Sequence, residues 1–202
     1  MLRKAFLTCR RGYALKLFLI RHGQTTTNHS STYTGQLDVS LTEQGCHEAA
    51  QIQPILAQIP FDKVYSSDLG RAVKTQEIAL PGKTAIQTPL LREFDVGAVA
   101  GKSYTFAPKN KDGITDFTLC GGESRDQVCD RIRKFLHLLE EDPCEYVAAF
   151  THNGVMSSMM RIIMDADIDT RGIGSKNCAI NVFEYTGARW RLIAWNYMGS
   201  VL

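Results

Sequence analysis

Two histidines and two arginines stand among glycines and short polar residues in this 202-residue chain. Arg21-His22-Gly23-Gln24-Thr25 follows the apolar run Leu15 to Ile20. Ser66-Ser67-Asp68 leads into a segment carrying Arg71. Thr151-His152-Asn153-Gly154 follows the apolar run Tyr146 to Phe150, and Leu91-Arg92-Glu93-Phe94-Asp95-Val96-Gly97 adds a carboxylate. The set is chemically coherent. Guanidiniums hold phosphate oxygens in bidentate pairs. A neutral imidazole is a nucleophile able to take a phosphoryl group, and nearby cations lower its pKa and keep it neutral. A second imidazole, if protonated, donates to an equatorial oxygen as charge develops. A carboxylic acid protonates the leaving oxygen.

These residues need elements that bring them together. Leu15 to Ile20 reads as a parallel strand buried on both faces. Ser40 and Glu43 are spaced as a capping box, opening a helix that runs to about Ile59 and stops at Pro60. A strand over Lys63 to Ser66, a helix over Leu69 to Leu80 and a strand over Thr84 to Thr88 follow. Leu90 to Gly122 is irregular and rich in glycine, as binding loops and lids are. Glu123 to Glu141 is a helix, with Val128, Ile132, Phe135, Leu136 and Leu139 at helical spacing. Glu123 reads as its N-terminal acid. Then come a strand over Tyr146 to Phe150, a helix over Gly154 to Met164, and strands over Cys178 to Tyr185 and Trp190 to Asn196 joined as a hairpin. Met156, Met159, Met160 and Met164 read as core. The expected fold is α/β: a three-layer α/β/α sandwich with a mainly parallel sheet, helices on both faces and a C-terminal antiparallel hairpin. Ligands bind beyond the carboxyl ends of strands in such sheets, so the three motif loops belong on one edge.

Composition narrows the classes. Hydrophobic residues at 44% and charged residues at 22% exclude a disordered chain. No run reaches the ~18 apolar residues of a membrane span. A net charge of +2 gives no global case for nucleic acid or an anionic membrane. Cys9, Cys46, Cys120, Cys129, Cys144 and Cys178 form no C-x-x-C pair, which suits reduced thiols in a cytoplasmic protein better than zinc or a disulfide framework. Residues 1–13 carry Arg3, Lys4, Arg10 and Arg11 and no acid; they read as a flexible basic arm ahead of a single domain over 14–202. Arg171 to Lys176 fits no nucleotide-loop pattern and reads as a connection. No G-x-S-x-G elbow is present, which disfavours a serine hydrolase. His29, His47 and His137 read as surface residues.

The stretches RHGQTTTN at 21–28, GQLDVSLTEQG at 35–45, VYSSDLGRAVKT at 64–75, LREFDVG at 91–97, GGES at 121–124 and THNGV at 151–155 resemble the histidine phosphatase superfamily, also called the phosphoglycerate mutase-like family. The resemblance implies that His22 becomes phosphorylated, that Arg21, Arg71 and His152 complete a phosphate pocket, and that Glu93 gives and takes the proton. It implies that Asn28 contacts phosphate and that the Gly23 carbonyl sets the tautomer of the nucleophile. Thr34, Gly35, Asn153 and Tyr104 join the expected phosphate- or substrate-binding set. Ala98 to Phe106 is expected to set substrate choice, with Lys102, Lys109 and Lys111 available to a second anion. The expected activity is a phosphatase on small phosphate monoesters, a phosphoric monoester hydrolase with no metal and no cofactor. Its partner is a small phosphorylated metabolite, with neither nucleic acid nor membrane; homo-oligomerisation is left open. The alternatives are a phosphoglycerate mutase and a non-catalytic phospho-ligand binding protein. Glu93 and His152 are only 59 positions apart, which leaves little chain for a lid and favours hydrolysis.

Overall fold

The computed structural model describes residues 14–166 and 173–198. The basic arm, Cys9, Arg171 and Gly172 lie outside the described residues. The chain runs β1 (Leu15–Arg21), α1 (Thr26–His29), α2 (Glu43–Leu56), β2 (Lys63–Ser67), α3 (Gly70–Ala79), β3 (Ile86–Thr88), α4 (Arg125–Glu140), β4 (Tyr146–Thr151), α5 (Asn153–Met164), β5 (Ile180–Tyr185) and β6 (Trp190–Tyr197). Short 3-10 turns punctuate residues 89–120.

The six strands form one sheet in the order β3-β2-β4-β1-β5-β6. β1, β2, β3 and β4 are mutually parallel, β5 runs antiparallel to β1, and β6 returns beside β5. Side chains alternate along a strand, and β1 is apolar on both faces. Leu15, Leu17 and Leu19 enter one core with Val128, Ile132, Phe135, Leu136 and Leu139 of α4 and Val155, Met156 and Met159 of α5. Ile20 enters the other core with Ala49, Ile52 and Leu56 of α2 and Ala79 of α3. The three-layer expectation holds. Arg21 pairs with Thr151 and Ser67 with Thr88, so the motif-bearing strand ends lie on one edge.

Several local expectations need correction. Ser40 does not cap α2. The bridge between Thr25 and Leu41 keeps the chain extended past residue 40, and Thr42 becomes the cap, accepting from the Gly45 N–H at 3.0 Å. The helix ends at Leu56, because residues 55–59 tighten into i to i+3 turns. Helix α4 starts at Arg125, where Ser124 and Gln127 form the capping box. Glu123 lies outside the helix and pairs with Arg131. β3 starts at Ile86, as a three-residue edge strand. Met156, Met159 and Met160 are core, but Met164, on the last turn of α5, is 54% exposed.

Candidate active site

β1 hands directly into the loop that carries His22. The backbone N–H of His22 donates to Thr151 O of β4 at 3.0 Å, and its carbonyl accepts from Asn177 Nδ2 at 2.8 Å. The ring Nδ1 is 2.7 Å from Gly23 O. A carbonyl can only accept, so Nδ1 carries the proton and Nε2 keeps its lone pair. Gly23 in turn donates its N–H to Thr75 Oγ1 at 3.0 Å, and Thr75 donates to Arg71 O at 2.7 Å. A side chain at Gly23 would meet the Gly45 carbonyl oxygen at 2.3 Å, so the loop packs backbone to backbone on α2.

Arg21 and Arg71 are braced through their guanidinium tips. Arg21 donates to Ser175 O. Arg71 donates to Gly35 O at 2.7 Å and Leu37 O at 2.9 Å. Each keeps a buried Nε with no partner. His152 is fully buried, 5.1 Å from the His22 ring between centroids. Its Nε2 is 2.9 Å from Ser67 Oγ, while its Nδ1 is buried and unpartnered. These buried atoms without protein partners cluster at the strand ends that carry His22.

Burial, then Arg71 and Arg21, hold the His22 pKa well below the usual imidazole range. Burial, followed by Arg71 and His22, does the same to His152. Both shifts favour the neutral ring in the ligand-free protein. Burial pulls Arg71 down to about 10, and it stays cationic.

Glu93 sits across the cleft. Its Oε1 accepts from the Phe94 N–H at 2.9 Å and its Oε2 from the Gly154 N–H at 3.2 Å. A Cβ on Gly154 would stand 2.2 Å from Oε1, which is why the first turn of α5 carries glycine here. Arg131 reaches back from α4 to Glu93 O at 3.2 Å and Leu90 O at 3.0 Å, itself held by Glu123. Arg92 points elsewhere and grips Asp68 with two bonds of 2.7 and 2.6 Å.

Asn28 Oδ1 accepts from Thr25 N and Asn177 Nδ2, which leaves its Nδ2 as the end available to a ligand. Asn153 spends its Oδ1 on Ser175 N at 2.9 Å. Thr34 Oγ1 is 2.5 Å from Thr27 Oγ1. Arg21, His22, Asn28, Thr34, Gly35, Arg71, Glu93, Tyr104 and Asn153 all line one cleft of about 590 Å³. Gly23 and His152 support it from beneath, through the bonds given above. Of the segment Ala98 to Phe106, only Tyr104 lines it, and Lys102, Lys109 and Lys111 do not. The segment's glycine-hinged 3-10 turns aim Phe106 outward, where it is 63% exposed. Tyr33, Phe94, Val96, Thr115 and Phe117 line it instead. Among the described residues no group of three or more His, Cys, Asp or Glu is placed to hold a metal ion.

The sequence pattern of the histidine phosphatase superfamily (branch 1) matches residues 17–198. The chain belongs to this family. Histidine phosphatase relatives carry differing names. One is a probable phosphoglycerate mutase GpmB of Cronobacter sakazakii, 26% identical over 193 residues, covering 90% of each chain. Another is phosphoglycerate mutase-like protein 4 of Arabidopsis thaliana, 30% identical over 195 residues, covering 89% of this chain and 84% of that one. Among solved structures, a mycobacterial glucosyl-3-phosphoglycerate phosphatase in complex with VO3 is 28% identical with a TM-score of 0.78, covering 91% of this chain and 99% of that one.

Ser67, Thr75, Ser175 and Asn177 were not among the expected site residues, although each bonds to one of them. Ser67 and Thr75 fall inside a quoted stretch, and their burial was the missing signal. Nothing local marks Ser175 or Asn177.

Proposed function

We propose that the protein is a phosphatase that hydrolyses small phosphate monoesters through a phosphohistidine on His22. The observation that carries this is the bond from His22 Nδ1 to Gly23 O, 2.7 Å long, which leaves Nε2 as the free lone pair of a neutral ring beside two buried guanidiniums. In the first step that lone pair attacks phosphorus, the ester P–O bond breaks, and Glu93 protonates the departing alcohol. In the second, Glu93 takes a proton from water as the water oxygen displaces His22, and the P–N bond breaks. Arg21, Arg71 and Asn28 supply donors to the equatorial oxygens. We assign His152 a further donor: with Ser67 Oγ, which accepts from Leu69 N–H, donating to Nε2, the Nδ1 carries the proton. A neutral donor suffices because the guanidiniums carry the charge.

The mutase reading rests on the names of the relatives, and it requires a phosphohistidine shielded from water while an organic acceptor reorients. The experiment that separates the two supplies 3-phosphoglycerate with a trace of 2,3-bisphosphoglycerate, beside p-nitrophenyl phosphate in EDTA. Release of inorganic phosphate from p-nitrophenyl phosphate, with no isomerisation of 3-phosphoglycerate, supports the phosphatase. Isomerisation to 2-phosphoglycerate much faster than hydrolysis overturns it.

A further inference from the structure

Four aromatic rings that line the cleft form a continuous series of contacts. Tyr104 stacks edge-on against Tyr33 at 4.8 Å, Tyr33 against Phe117 at 5.5 Å, and Phe117 against Phe94 at 6.1 Å. Four loop segments build this ladder, and those carrying Tyr33 and Tyr104 are sewn together by backbone bonds. Tyr33 N–H donates to Lys102 O, Gly101 N–H to Tyr33 O and Tyr104 N–H to Ser31 O. These bonds fix the backbone that carries Tyr33 and Tyr104. All four line the cleft, with Val96 beside them. Phe94 follows Glu93 directly, so the ladder begins where the leaving oxygen is protonated.

Charge on this side has one sign. Among the described residues lining the cleft, the cations are Arg21 and Arg71, both tied at the phosphate end, and the other formal charge is the Glu93 carboxylate. A second anionic group on the substrate would meet the hydroxyls of Tyr33, Tyr104, Thr115 and Ser157 but no second cation, and would stand near the Glu93 carboxylate. An apolar face there gains burial and ring contact.

We propose that the alcohol half of the substrate is uncharged and bears an apolar or aromatic face, which packs on Tyr104, Tyr33, Phe117 and Phe94. This rests on the phosphomonoester reading of the site. It disfavours phosphorylated hydroxy acids such as phosphoglycerates.

The test is calorimetric titration of the whole protein with two phosphonates that cannot be hydrolysed, 3-phenylpropylphosphonate and 4-phosphonobutanoate, with inorganic phosphate as reference. The phenyl compound is expected to bind at least about tenfold more tightly than the carboxylate compound. In Phe117→Ala that ratio should shrink to within about threefold while phosphate affinity holds, because the ring and not the anion site has been removed. Equal or reversed affinities, no binding of either phosphonate, or a Phe117→Ala variant that weakens phosphate equally would overturn the proposal. Phosphate release from 3-phenylpropyl phosphate is scored separately. Tight phosphonate binding without release contradicts the phosphatase assignment and leaves the aromatic subsite standing.

Discussion

His152 Nε2 lies 2.9 Å from Ser67 Oγ, and the other ring nitrogen is buried with no protein partner. Ser67 ends β2 and His152 follows β4, so the contact spans two adjacent strands at the edge where the phosphate donors gather. A neutral imidazole has one N–H, and the residue at one nitrogen decides which way that N–H faces. Ser67 is thus a positioning residue for His152. Replacing it should show this: Ser67→Ala should lower kcat about tenfold, equivalent to the ~1–3 kcal/mol cost of an unsatisfied buried polar group. Ser67→Thr, which keeps the hydroxyl, should recover most of the loss. Steady-state kinetics on one substrate checks both, and equal defects in the two variants would show that packing alone matters at residue 67.

Arg71 is 1% exposed and holds the Gly35 and Leu37 carbonyls, and its buried Nε has no protein partner. Arg71→Lys retains a charge but loses the fork that bonds in several directions at once. A loss of ~10²–10³ in kcat/KM is expected, as for removal of one oxyanion donor, together with weaker inhibition by vanadate. Unchanged vanadate inhibition would place Arg71 outside the phosphate site.

Glu93 is held by the N–H groups of Phe94 and Gly154. Glu93→Gln should cost ~10²–10⁴ on an alkyl phosphate and much less on p-nitrophenyl phosphate, whose leaving group needs no proton. Gly154→Ala should reproduce that pattern in milder form, because its methyl would displace Oε1. Equal defects on the two esters would argue against the proton-donor role.

Both buried imidazoles have depressed pKa values. Below the ordinary imidazole pKa of ~6.5, the unfolded chain binds protons that the folded protein refuses, so each ring's contribution to stability is present above that pH and is lost as pH falls. The slope per group is at most ~1.4 kcal/mol per pH unit. Urea midpoints should fall from pH 7.5 to pH 5, and His22→Asn should make that fall shallower. An unchanged slope in His22→Asn would show that His22 titrates alike in both states.

Much of the site could be read before the structure because buried parallel strands announce themselves as apolar runs, and the loops after them must share an edge. The shared edge of His22, Arg21 and His152 follows from that, with Arg71 in the first turn of the helix after β2; their roles come from the family resemblance. What could not be read is set by contacts between distant segments. Ser40 and Thr42 are both acceptable caps; the bridge from Thr25 to Leu41 chooses between them. Arg92 and Glu93 are neighbours, yet Arg92 turns to Asp68, 24 positions earlier. The aromatic wall draws on Tyr33, Phe94, Tyr104 and Phe117, which lie in loops and 3-10 turns with no periodicity to expose their shared face.

The central claim is a covalent bond between phosphorus and His22 Nε2. The most direct measurement is to mix the protein with a radiolabelled phosphate monoester, quench in alkaline detergent during turnover, and map the label. We expect label on the wild type that survives base, is lost in acid, resides on the peptide containing His22 and is absent from His22→Ala. Label that persists in His22→Ala, or phosphate release by that variant at the wild-type rate, would contradict the mechanism.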